Sequence, residues 1–233
     1  MKIRGFILIV VFLFFFLKQV VAQSDTTRQT TKQLLGYFGM HSPNLTNLNT
    51  VFRAYNYPEF NPNCFSAGFG LMKVKKKFVG GVNFYTYNQS QSKDTVTSSI
   101  RTLGMGQSYG YSYLMKQKFQ MYTFIGWSTV WTTVKVSKNI PSNTQFNFYT
   151  SSIGNQIEMK TENFMVDVST HINYLIKTSK DLSNKERIII GIRGGYLLPL
   201  KKSQWTMNKA KLLNSPNINA GGYYVSIVLG FAG

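Results

Sequence analysis

Hydrophobic and polar residues alternate along most of the chain with a period of two. The sixth apolar run shows it best: Phe164, Val166, Val168, Thr170, Ile172, Tyr174 and Ile176 fall on one side. Met165, Asp167, Ser169, His171 and Asn173 fall on the other. That period belongs to a β-strand, whose side chains point alternately to the two faces of a sheet. Near the end, Tyr223, Val225, Ile227, Leu229 and Phe231 oppose Tyr224, Ser226, Val228 and Gly230. In between, Ile188, Ile190, Ile192, Tyr196 and Leu198 oppose Ile189, Gly191, Arg193 and Gly195. Tyr109, Tyr111 and Tyr113 oppose Gly104, Gly106, Ser108, Gly110 and Ser112. Phe119–Val136 is apolar on both faces and its parity is left open.

Eight strands are expected: Leu34–Met40, Cys64–Met72, Phe78–Asn88, Ser98–Leu114, Phe119–Val136, Asn163–Ile176, Arg187–Leu198 and Gly221–Phe231. The connections tend to alternate in length. His41–Asn63, Ser137–Glu162 and Pro199–Ala220 are long. Lys73–Lys77 and Met115–Lys118 are tight, and Gln89–Thr97 and Lys177–Glu186 are intermediate. Long loops at one end and short turns at the other describe an up-and-down barrel inserted from one side. Leu48, Val51, Phe52 and Tyr55 follow helical spacing, which predicts a short helix over Asn47–Tyr55 that Pro58 limits.

The amino terminus reads differently. Lys2 and Arg4 precede an unbroken apolar run, Phe6–Leu17, with Lys18 after it. Val20 and Ala22 stand at −3 and −1 of a cut before Gln23. This is the pattern of a secretory signal peptide over residues 1–22, too short for a membrane helix. The absence of a cysteine at the cut argues against a lipid-anchored terminus. Residues 23–32 are polar and read as a tether, leaving 33–233 as the β-domain. Cys64 is the only cysteine, so the domain has no internal disulfide.

An apolar face on nearly every strand has two explanations. A soluble sandwich or lipocalin-like barrel turns it inward. A membrane barrel turns it to lipid and keeps small and polar residues inside. The opposite faces here carry Gly191, Arg193, Gly195, Asp167, His171, Asn173 and Ser226, whereas soluble surfaces favour Lys and Glu. The chain has 18 Phe, 14 Tyr and 3 Trp, a supply suited to interfacial girdles, and only 15% charged residues. Both facts favour the membrane barrel.

With these features and the closing run GGYYVSIVLGFAG, the chain resembles the small outer-membrane β-barrel family of OmpX and the OmpA membrane domain. The resemblance spans Gln33–Gly233. It implies an all-β fold, an eight-stranded antiparallel up-and-down transmembrane barrel, in a bacterial outer membrane. Members often end on an aromatic residue; here Ala232 and Gly233 follow Phe231.

Loss of the leader takes the formal charge from +18 to +15. Such a balance suggests an anionic partner. No zinc, helix-turn-helix or RNP pattern supports nucleic acid. Outer-membrane lipids, including anionic lipid A headgroups, are the expected partners, with an unidentified envelope partner as the alternative. Lys73, Lys75, Lys76 and Lys77 form the densest basic cluster, read as a solvated turn or as a contact with headgroups.

No catalytic, cofactor or metal residues are assigned, and a non-enzymatic barrel is the leading reading. Two constellations could carry chemistry. Asp167, Ser169 and His171 share a face, but successive same-face residues stand about 7 Å apart, long for direct hydrogen bonds. A polar network inside the barrel, with Arg193 balancing Asp167, is the plainer reading. His41 and Ser42, placed at the start of the first long loop, and Asp94 and Thr95 in the second could supply a base and an acid at the outer rim. That would suit a lipid A-modifying enzyme. A subunit of an export or assembly machine is a further alternative. Gly68, Gly70, Gly104, Gly106 and Gly110 are expected to make room for bulky interior neighbours or bends, since no helix follows them to form a phosphate loop.

Overall fold

A computed structural model describes residues 30–116, 118–138, 156–178, 186–201, 204–213 and 219–233. The expected signal peptide, most of the tether, most of the third loop and Lys202 lie outside these residues. The strands are β1 (Thr30–Asn44), β2 (Cys64–Lys75), β3 (Phe78–Lys93), β4 (Val96–Met115) and β5 (Phe119–Lys138). They continue with β6 (Gln156–Lys177), β7 (Arg187–Pro199), β8 (Trp205–Met207), β9 (Ala210–Lys211) and β10 (Asn219–Ala232). A single helix among the described residues, α1 (Thr46–Ala54), follows β1.

Neighbouring strands pair in the order β5-β4-β3-β2-β1-β10-β7-β6, and β5 pairs with β6. That last pairing closes an eight-stranded, all-antiparallel ring and removes the sheet edges. All eight expected strands are present. Most are longer than expected, because their polar ends continue the ladder. Ser90, Gln91 and Ser92 of β3 pair with Ser99, Ser98 and Thr97 of β4. Gln89–Thr97, expected as an intermediate gap, is therefore a hairpin turning at Asp94 and Thr95. Thr30, Thr31 and Lys32 pair with Lys75, Val74 and Lys73, so the end of the expected tether belongs to β1.

The short-turn end holds both ends of the described chain, the turns after β2 and β4, the end of β6 and the start of β7. The turn after β2 is only Lys76 and Lys77, with Lys76 at a φ of 54°. The opposite end holds α1, the β3–β4 hairpin and the segment after β7. Part of that segment, expected to be a plain loop, is the hairpin β8–β9. It turns at Asn208 and Lys209, both at positive φ, the geometry that matches strand twist. It pairs with the outer extension of β6 through Thr161 and Trp205.

The faces are inverted relative to a soluble protein. Ile192 is 57% exposed, and its neighbour Arg193 is 7% exposed. On β6, Val168 and Ile172 face out while Asp167, His171 and Asn173 are buried. The open parity of β5 is resolved: Tyr122, Phe124, Val130 and Val134 point inward, and Ile125, Trp127 and Trp131 point outward. A continuous apolar exterior of this extent would be a liability in water and is the natural face toward lipid. From Phe119 to Trp131, β5 covers about 40 Å at ~3.3 Å per residue, which a tilt of roughly 40° reduces to about 30 Å of height. That matches the hydrocarbon thickness of a bilayer.

Candidate functional site

The interior is built in three layers. Toward the short turns, Leu35, Tyr37, Met72, Val79, Tyr122 and Phe124 belong to one apolar cluster. Toward the outer mouth, Leu48 and Phe52 of α1 pack with Ile100, Val134 and Trp205. Between them lies a polar layer.

Its centre is Arg193. The Nη2–H of Arg193 donates to Asp167 Oδ2 at 2.7 Å, and its Nε–H donates to the Tyr224 hydroxyl at 3.1 Å. Tyr224 in turn donates to Asp167 Oδ1 at 2.7 Å. The guanidinium carbon stands 4.9 Å from the Tyr37 ring centroid and 5.1 Å from that of Tyr224. Tyr37 donates to Asn83 Oδ1 at 3.2 Å, and the Asn83 amide donates to Ser108 Oγ at 2.8 Å. These contacts run across the barrel from β6 and β7 to β3 and β4. Charge-assisted pairing of this kind lets a charged pair sit inside a membrane-spanning wall. A cavity of about 30 Å³ borders Arg193, Asp167, Tyr85, His41 and Ser66. A space of that size can hold water.

Glycines make the space. A Cβ on Gly104 would stand 2.1 Å from the Tyr85 ring, and one on Gly195 would stand 2.6 Å from the Tyr224 hydroxyl. The expectation for Gly104 therefore holds. Gly195 serves the same end for the phenol that binds Arg193.

The network with Arg193 balancing Asp167 is present as the alternation implied. Ser169 and His171 share the interior face with Asp167, but no hydrogen bond joins Ser169 to His171. His171 is fully buried, and neither ring nitrogen has a hydrogen-bond partner among the described residues. Its ring lies 4.7 Å from that of Phe124 and 6.0 Å from that of Tyr37. The outer-rim pairing is corrected. His41 is not in a loop, because β1 continues to Asn44 and carries it inside. There it is 2% exposed, 4.8 Å from the ring of Tyr87. Asp94 sits in the tip of the β3–β4 hairpin, at a φ of 52°. The structure does not bring those two groups together.

The outer mouth is an ordered cap that the sequence showed only in part. The Asn49 amide donates to the Phe60 carbonyl at 2.8 Å, and the Phe60 amide donates to Asn49 Oδ1 at 3.0 Å. This reciprocal pair folds the segment after α1 back over the mouth. Arg53 donates twice to Glu59, at 2.9 and 2.8 Å. The hydrogen bonds from Arg53 hold the Glu59 carboxyl below its usual range.

A closed antiparallel ring, an apolar exterior of bilayer height and a paired charge inside define a membrane-spanning β-barrel of the outer-membrane type. In shape the chain is similar to Ail, the attachment invasion locus protein of Yersinia pestis, in complex with sucrose octasulfate. That pair shares 7% identity at a TM-score of 0.48, over 88% of this chain and 98% of the other. It is also similar to Neisserial surface protein A, at 10% identity and a TM-score of 0.41, over 87% and 94% of the two chains. The Escherichia coli outer membrane protease OmpT follows at 7% identity and a TM-score of 0.31, over 88% and 96%. Neither a family model nor a curated protein matches. At these scores the likenesses carry no functional weight, and the barrel rests on its own pairings.

Proposed function

We propose that the protein is a non-enzymatic outer-membrane barrel whose capped outer end, and not its interior, is the working surface. One observation supports this most: α1 and the β8–β9 hairpin pack Leu48, Phe52 and Trp205 onto Ile100 and Val134 and fill the mouth. With the lower apolar cluster, apolar packing lies on both sides of the polar layer, and in this reading it seals that layer to ions. The barrel then anchors and displays the cap, and anionic lipid A headgroups are its surroundings on that side. Purified protein in a planar bilayer should show no steady ion conductance, and its expression should leave the lipid A mass profile unchanged. Stable single-channel steps would contradict the sealed interior. A new lipid A species dependent on this chain would replace the non-enzymatic reading with the modifying one.

A further inference from the structure

Basic residues stand at both ends of the barrel, and some of them differ in whether a carboxylate of the chain meets them. On the outer side, several are matched by carboxylates of the chain. Arg53 pairs with Glu59, and Lys135 and Lys160 share Glu158 at 2.9 and 2.7 Å. At the short-turn end, Lys76 and Lys77 form the turn after β2, and Lys116 and Lys118 flank the turn after β4. Because β3 pairs with β4, these turns adjoin on the rim, where the Ser112 amide donates to the Lys77 carbonyl at 2.7 Å. Neither turn contains an Asp or Glu. Among the described residues none of the four lysines has a carboxylate partner.

Directly beneath them the outer wall is aromatic. Phe78 is 70% exposed and meets Tyr111 edge-on at 5.9 Å; Lys77 Nζ stands 5.9 Å from the Tyr111 centroid. Phe119 meets Tyr174 at 5.0 Å on the next strands. Amphipathic rings settle at headgroup depth, and lysines just outside them extend their ammonium groups into the headgroup layer. Unmatched cations at that depth attract anionic lipid.

We propose that the rim formed by these two turns is a binding site for an anionic phospholipid headgroup in the periplasmic leaflet. Lys77, Lys116 and Lys118 hold the phosphate, and Phe78 and Tyr111 flank the acyl chains. This rests on the membrane reading above.

The test is native mass spectrometry of the full folded chain released from phosphatidylcholine nanodiscs doped with a minority of phosphatidylglycerol. Retained lipid should be several-fold enriched in phosphatidylglycerol over the bulk, and high salt during assembly should abolish the enrichment. The K77Q/K116Q/K118Q variant should fall to the bulk ratio. The K77R/K116R/K118R variant should keep the enrichment, and so should K201Q/K209Q/K211Q at the other end. If the glutamine variant does not fold, as judged by its mobility in unheated SDS, the salt and arginine arms still decide. Retention at the bulk ratio in the wild type, enrichment that survives high salt, or loss in the K201Q/K209Q/K211Q variant overturns the proposal. Failure of the wild type to enter nanodiscs would instead contradict the membrane reading itself.

Discussion

Replacing Arg193 by Leu removes the group that donates to both Asp167 and Tyr224 and leaves a buried carboxylate without its cation. Breaking a buried pair in this way costs about 3–5 kcal/mol. The urea midpoint of the refolded barrel should drop accordingly, and Asp167→Leu in the same chain should recover much of the loss. An unchanged midpoint in the single variant would mean that the two side chains do not meet. Gly104→Val tests the space made for a bulky neighbour. Its side chain would collide with the Tyr85 ring, so the variant should fold poorly, and Tyr85→Ala in the same chain should restore folding. Such pairs were legible from alternation: Asp167 and Arg193 fall on the small, polar face of clean period-two strands. His41 was not. Reading β1 as ending at Met40 placed His41 in a loop, whereas pairing with β10 carries the strand to Asn44.

At the scale of elements, the cap should come apart without the barrel. Phe52 is 2% exposed under α1, and Phe52→Ala should cost the cap about 3–5 kcal/mol. Hydrogen exchange of the Phe60 amide should speed up, while amides of β6 and β7 keep their protection. Equal loss in both regions would make the cap part of one cooperative unit with the wall. Glu59 adds a pH dependence. Its carboxyl is held below its usual range, so its bridge to Arg53 stabilises the cap above the ordinary carboxylate value and is lost as pH falls through the lowered one. Protection of the Phe60 amide should be flat from neutral pH to about 5 and decline only in more acidic solution. Arg53→Ala should remove that step. The helix was legible because Leu48 and Phe52 repeat at its period. The β8–β9 hairpin was not, because two-to-three-residue strands are too short to show alternation, and Trp205 reads as one aromatic among lysines.

At the scale of the molecule, trypsin on intact cells should cut at Lys209 or Lys211, on the exposed β8–β9 hairpin, and spare the Lys76–Lys77 turn. Cleavage confined to that turn would invert the topology. The ring of strands was legible because lipid and a polar interior impose opposite chemistry on successive residues. The same logic fails for β5, which lines both apolar layers of the interior and is therefore apolar on both sides. Above the belt no apolar face is required, and a tail such as that of β3, with Ser90, Gln91 and Ser92, is polar, so alternation does not mark where such a strand ends.

That ambiguous strand offers the most direct test. In a Cys64→Ser background, single spin labels placed from Thr123 to Trp131 of β5 report collisions with oxygen, which enriches in lipid, and with a nickel chelate, which stays in water. In reconstituted vesicles, labels at Thr123, Ile125, Trp127 and Thr129 should collide with oxygen. Those at Phe124, Ser128 and Val130 should be shielded from both reagents. Nickel access at Ile125 and Trp127, or no period of two along the strand, would contradict a barrel that turns this face to lipid.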